Sequence, residues 1–360
     1  MRASHGPGPA SGLRAGQHAL DGSNFVAERA LDFLARADPS RDQGRVGCVS
    51  IAATMASASS TDTTLLTYVP VPLLGLVTKD VVPFPLFLRT AQNCWVLYRP
   101  ATAELDESHV GRLQAEGVEE LFIRDVDRAA WLERIETSLD RILLERTLPI
   151  EQRAGVLHGV ATRVTDDLLK VLPDKPTLHR AQRVIMATGG FLLREAQGFH
   201  AVRRMMTSSP GLAAHSLTVG VLAMGLAKST MAADAGTLQQ AGLAGLLHDI
   251  GKVGHEGIEH DPEHTLRGAN YLRNLGLPGP VVEAARSHHE RFDGSGYPLA
   301  LRGAAIPQLA LVVGLANMFD KVYSSHQPRV GVFDALRILA QAYHGCFDDK
   351  LAQGLVRLFH

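Results

Sequence analysis

Leu246-Leu247-His248-Asp249-Ile250-Gly251-Lys252 is the stretch on which the reading of this chain turns. Leu243, Leu246 and Leu247 mark the apolar face of a helix, and a histidine and a carboxylate follow at its end. Burying an ionised aspartate there without a cation is costly. Gly251 lets the backbone turn sharply after the pair. Lys252 places a positive charge at the same corner, where a phosphate can be held.

Three further stretches bear histidines on separate predicted helices or helix ends. They are His215-Ser216 within Gly211 to Lys228, His264-Thr265-Leu266-Arg267-Gly268, and Ser287-His288-His289-Glu290. Of 16 histidines, 11 lie from His200 onward, which is the raw material of a metal site. A lone histidine on a helix is more often structural or solvated than a ligand; it is the adjacent His248-Asp249 pair that raises the set above that background. A mixed His/Asp shell with no thiolate favours iron(II), manganese(II) or another borderline ion. Two such ions close together suit phosphodiester cleavage, because they share a water, make it a hydroxide near neutral pH and neutralise charge on the phosphate. No side-chain nucleophile is then needed.

The bulk properties agree with such a site and exclude others. The 360 residues suffice for two ordinary domains, and 46% are apolar. A net charge of −1 offers no general attraction for duplex DNA or an anionic membrane, although a local cluster can still bind a small anion. Cys48, Cys94 and Cys346 are odd in number and far apart, which argues against a disulfide framework or zinc knuckle and for a reducing, cytoplasmic setting. No apolar run long enough to cross a bilayer and no signal peptide are expected from the sequence pattern.

Residues 1–63 are rich in Gly, Ala, Ser and Pro and read as disordered or as a non-native extension, with one candidate helix at Phe25 to Leu34 and a second candidate start at Met55. Residues 64–126 read as a small α+β domain. Its strands are expected at Tyr68–Leu73, Phe84–Arg89, Trp95–Tyr98 and Val118–Ile123, with a helix at Glu107–Glu116 ended by Gly117. Residues 127–192 read as a helical connector. Trp131, Ile135, Leu139 and Ile142 recur at helical spacing, as do Val156, Val160, Val164 and Leu168; these stripes serve a core or a helix–helix interface, including one between two copies of the chain. Residues 193–360 form the histidine-bearing domain. The expected class is therefore mainly α, with an all-helical C-terminal domain behind a small α+β domain.

His215, His248-Asp249, His264 and His288-His289-Glu290, followed by Phe292-Asp293-Gly294-Ser295-Gly296-Tyr297-Pro298, resemble the HD-GYP domain. This is a bacterial subclass of the HD metal-dependent phosphohydrolases whose usual activity is hydrolysis of cyclic di-GMP. His288 to Gly303 follows the family pattern HHExxDGSGYPxxLxG almost position for position. A tight turn without function would explain Gly294, Gly296 and Pro298, but not the histidine pair before them. The resemblance covers residues 195 to 350 or so. It implies His215, His248, Asp249, His264, His288 and His289 as ligands of two divalent ions, iron or manganese, with Asp249 bridging. It implies Lys252 on the substrate phosphate, supporting the transition state. Asp293, Gly294, Gly296, Tyr297 and Pro298 would shape a rim loop, which in the family is linked to contact with GGDEF-type cyclase domains.

The sequence departs from the family pattern in places. Where the family has a further metal-binding Asp, the segment here is Ala316-Asn317-Met318-Phe319-Asp320, so Asn317 occupies the last ligand position and is a weaker, neutral ligand. Asp320, one helical turn later, is not expected to reach inward in its place. The Arg and Lys that usually grip phosphate are replaced by Ser325-His326-Gln327-Pro328-Arg329, of which Arg329 is the candidate substitute and His326 is mostly neutral at pH 7. The loop from Val253 to His264 is short, which predicts a more open site. Gly211 stands one turn before His215, where some members carry a Glu for a third metal, so two ions are expected. Three readings follow: a cyclic di-GMP phosphodiesterase yielding linear pGpG and then GMP; a catalytically weakened module that binds cyclic di-GMP or a GGDEF partner; and an HD phosphohydrolase acting on another nucleotide.

Overall fold

Residues 67–76, 81–91, 94–205, 211–231, 233–255, 261–326 and 331–359 are described by a computed structural model. The candidate helix at 25–34, Met55 and Arg329 lie outside them. The chain divides into two units, Met1–Glu133 and Arg134–His360.

In the first unit, strands β1 (Tyr68–Pro72), β2 (Leu86–Ala91) and β3 (Cys94–Arg99) precede helix α1 (Glu107–Ala115) and strand β4 (Glu120–Arg124). The four strands form one antiparallel sheet in the order β1-β4-β2-β3. Alternation sets the faces: Leu86, Leu88 and Thr90 of β2 are buried while Arg89 and Ala91 are exposed. α1 starts where the Asp106 carboxylate accepts the His109 N–H at 3.0 Å, which satisfies a donor that the first helical turn leaves free. Its Val110 and Leu113 are buried.

The second unit is helical. After α2 (Arg128–Leu144), inside which the division falls, come α3 (Ile150–Lys170), α4 (Lys175–Arg194), α5 (Gly198–Met205), α6 (Leu212–Thr230) and α7 (Ala235–Leu247). A 3-10 turn (Ile250–Lys252) leads to α8 (His264–Asn274), α9 (Gly279–Ser287), α10 (Gln308–His326), α11 (Val332–Ala342) and α12 (Asp349–Arg357). α6 and α7 pack along their lengths, with α3 and α10 against α6, and α4, α9 and α10 against α7. The expected stripes point inward: Ile135, Leu139 and Ile142 on α2, and Val160, Val164 and Leu168 on α3, are buried. Arg180 on α4 grips Glu136 on α2 through two bonds of 2.9 Å, and Arg183 adds one of 3.2 Å.

One expectation is corrected. α6 is long and apolar enough to cross a membrane by length and composition. Its apolarity is that of a core helix, since Leu217, Val219, Val221, Leu222, Met224 and Leu226 are buried inside the protein.

Candidate metal centre

Asp249 stands at the centre of the histidine cluster. It follows α7 and is 1% exposed. Its Oδ1 lies 3.1 Å from His264 Nε2 and 3.5 Å from His288 Nε2. Its Oδ2 lies 3.3 Å from His248 Nε2 and 3.9 Å from His215 Nε2, and accepts a hydrogen bond from Lys252 Nζ at 2.5 Å. Two groups of ligand atoms result: Asp249 with His264, His288 and His289, and Asp249 with His215 and His248.

The helix ends aim these rings. His248 follows α7 and donates Nδ1–H to the Gly245 carbonyl at 2.7 Å; His288 follows α9 and donates to the Ala285 carbonyl at 2.9 Å. Both acceptors are among the last carbonyls of a helix, which have no partner within it. His264, at the start of α8, bonds the Asp261 carbonyl in the same i−3 manner. His215 on α6 instead bonds Asp320 Oδ2 at 2.6 Å. In each ring Nδ1 is engaged outward, so Nε2 presents its lone pair to the cluster, the usual arrangement of metal-binding histidines.

The electrostatics fit a cation. Burial pushes the Asp249 carboxyl up, but the surrounding His248, His264 and His288 more than offset this and hold it well below its ordinary value. Burial pulls His288 down to about 3 and lowers His248 and His289 as well, so these rings are neutral, as metal ligands must be. The lone pairs of His264 and His288 face each other 3.4 Å apart. His215 Nε2, His248 Nε2, Asp249 Oδ1 and Asn317 Oδ1 are buried without a hydrogen-bond partner among the described residues. Such atoms are costly to leave unpaired, and divalent ions bound between the Asp249 carboxylate and the His215 and His248 nitrogens would satisfy them.

Asn317 on α10 is 2% exposed and stands one helical turn before Asp320, which bonds His215. Asp320 is 7% exposed and turns to His215 Nδ1, so it stands behind that ring as a positioning carboxylate and not in the place of Asn317. Spacing alone gave no signal for that bond, which joins residues 105 apart in sequence. Arg267, which no sequence signal marks as functional, donates to the Gly251 carbonyl at 3.0 Å and pairs with Asp261, so it braces both the turn after Asp249 and the residue that orients His264. The turn touches α8 so closely that a Cβ on Gly251 would lie 2.0 Å from the His264 carbonyl oxygen.

The rim loop is clamped by Glu290, whose carboxylate accepts the Leu299 N–H at 2.7 Å and the Leu301 N–H at 2.9 Å. Tyr297 stacks on His289 with ring centroids 4.6 Å apart, and the peptide before Pro298 is cis. A Cβ on Gly296 would meet the Arg291 nitrogen at 2.3 Å, so only glycine lets the loop lie this close to the histidine pair. Asp293 is engaged within the loop and accepts from the Ser295 N–H and hydroxyl at 3.0 and 2.7 Å, with Gly294 between them. Burial and the nearby Asp249 push the Tyr297 phenol up to about 12, so it stays protonated at neutral pH.

Fold and site together define an HD domain, and residues 212–321 match the family model of that description. Within that match, the stretch from His288 to Gly303 resembles the HD-GYP subclass of these domains. A protein named cyclic di-GMP phosphodiesterase from Pseudomonas aeruginosa is 31% identical over 182 residues, covering 46% of this chain and 44% of that one. A protein of the same name from Thermotoga maritima is 38% identical over 93 residues, 22% of this chain and 25% of its own. A 3'3'-cGAMP-specific phosphodiesterase of Vibrio cholerae is 37% identical over 91 residues, 22% of this chain and 21% of its own. The chain thus matches less than half the length of these relatives. A solved HD-GYP-type protein of Bdellovibrio bacteriovorus shares the fold, with a TM-score of 0.58 and 18% identity over 81% of this chain and 99% of that one.

Proposed function

We propose that this chain is a metal-dependent phosphodiesterase that opens cyclic di-GMP to linear pGpG, with GMP as a further product. One observation carries the reading: the single carboxylate of Asp249 belongs to two adjacent groups of buried ligand atoms. His264, His288 and His289 would hold one divalent ion, and His215, His248 and Asn317 the other, with Asp249 shared. Bound there, iron or manganese would lower the pKa of a water and neutralise charge on the phosphate. The chain's own residues do the rest. Asp320 fixes the His215 ring, and Lys252, one-third exposed at the mouth, offers its ammonium to the substrate phosphate. The protonated Tyr297 phenol can donate a hydrogen bond at the rim. The names of the relatives support a cyclic dinucleotide as substrate. A cytoplasmic setting, contact of the rim loop with GGDEF-domain proteins and pairing of two copies through helices belong to the same reading.

The neutral Asn317 favours a second reading, a weakened module that binds cyclic di-GMP without turning it over. Chromatography of products after incubation of anaerobically purified protein with manganese(II) or iron(II) separates the two. Turnover to pGpG, reduced at least a hundredfold in His248→Ala, is expected. Tight binding without turnover would establish the second reading, and hydrolysis of 3'3'-cGAMP or another nucleotide alone would redefine the substrate.

A further inference from the structure

Lys321 lies on α10 four residues after Asn317, so helical spacing sets the two on one face, with Lys321 one turn nearer the helix end. Asn317 Oδ1 is buried and has no hydrogen-bond partner among the described residues. Lys321 is only partly exposed, and its ammonium forms no ion pair and no side-chain hydrogen bond among the described residues. The charges that act on it are those of the site: Asp249 and Asp320 favour its charge, while Lys252 and Arg291 oppose it. His289 feels its charge in turn. Burial is the largest influence and lowers its pKa.

Neither carboxylate is free to neutralise it. Asp249 accepts from Lys252 and faces three histidines, and Asp320 is bonded to His215. A cation withdrawn from water without a counter-ion is costly, and an anionic ligand relieves that cost. The cluster is also short of negative charge, since Asn317 adds none. With metal ions bound, it would remain strongly cationic and suit a ligand carrying more than one phosphate.

We propose that Lys321 binds the second phosphate of a two-phosphate nucleotide whose first phosphate lies beside Lys252 at the metal centre. Lys321 then selects cyclic dinucleotides over diesters with a single phosphate. The inference rests on the phosphodiesterase reading of the site and adds a residue to it.

The test compares the full-length chain with Lys321→Gln and Lys321→Arg. Steady-state kinetics in manganese(II) are measured on cyclic di-GMP and on bis(4-nitrophenyl) phosphate, a diester with one phosphate, and calorimetry measures the binding of cyclic di-GMP. Loss of one charge-assisted phosphate contact predicts that Lys321→Gln raises KM and Kd for cyclic di-GMP roughly tenfold or more. The change in kcat is expected to stay within about threefold, and Lys321→Arg to recover most of the affinity. The loss on the single-phosphate diester is expected to be at least about tenfold smaller. An unchanged KM and Kd, equal losses on both substrates, or a kcat defect that arginine does not rescue would overturn the inference. Binding through Lys321 without turnover would uphold it and defeat the catalytic reading; a chain that neither binds nor hydrolyses cyclic di-GMP would defeat both.

Discussion

His248, His264 and His288 each bond Nδ1 to the carbonyl three residues earlier, so three ring orientations are built from local backbone. The sequence named these histidines through the adjacent His248-Asp249 pair and the family pattern, and said nothing of the anchors that aim them. His215 sits within α6, where carbonyls are already used, and it needs Asp320 from α10. Nothing local in the sequence announces such a partner, and the same holds for Lys321, whose charged surroundings include the Asp249–Lys252 turn and Arg291 as well as its own helix. The Asp320 bond has a measurable consequence. Asp320→Asn should keep the fold and weaken metal binding about 10- to 100-fold, the usual effect of losing a carboxylate behind a histidine ligand. Asn317→Asp should strengthen metal binding. Titration of the metal-free variants checks both, and unchanged affinity in Asp320→Asn would show that His215 is no ligand.

Among the elements, the rim loop and the turn after Asp249 were recognisable because their glycines and prolines punctuate the sequence. Which residue holds the loop down was not, because Glu290 reaches forward to backbone N–H groups nine and eleven residues away. Glu290→Ala leaves two amides without their acceptor and should destabilise the chain by roughly 1–3 kcal/mol while loosening the loop. Urea denaturation and proteolysis near Tyr297 would show it; a loop as resistant as the wild type's would remove Glu290 from that role. The α2–α4 contact has a pH signature. Burial pushes the Glu136 carboxyl up, but the Arg180 and Arg183 bonds outweigh it and hold it below its ordinary value of 4.5. A depressed carboxyl stabilises fully above its unfolded pKa, and the contribution fades as pH falls through the folded value. Glu136→Gln should therefore cost stability at pH 7 and progressively less below pH 4.5. A penalty independent of pH in denaturation curves would contradict the assignment.

For the whole molecule, the class was readable at each stage: alternation gave the sheet unit, and helical stripes and caps gave the helical unit. The apolar length of α6 was the part passed over; a core helix and a spanning helix share it, and burial of its side chains tells them apart. Metal binding should couple to global stability. An ion at 100 times its Kd stabilises by about 2.7 kcal/mol, and a chain with a unit of this size should then gain roughly 5–10 °C in Tm. Chelation should remove that gain.

The most direct measurement is the metal content of the full-length chain purified without oxygen, set beside Asp249→Asn. Two equivalents of iron or manganese per chain, falling below one in the variant, are predicted, because both ligand groups share that carboxylate. Wild-type protein with no divalent metal, or a variant that retains the same content, would contradict the account.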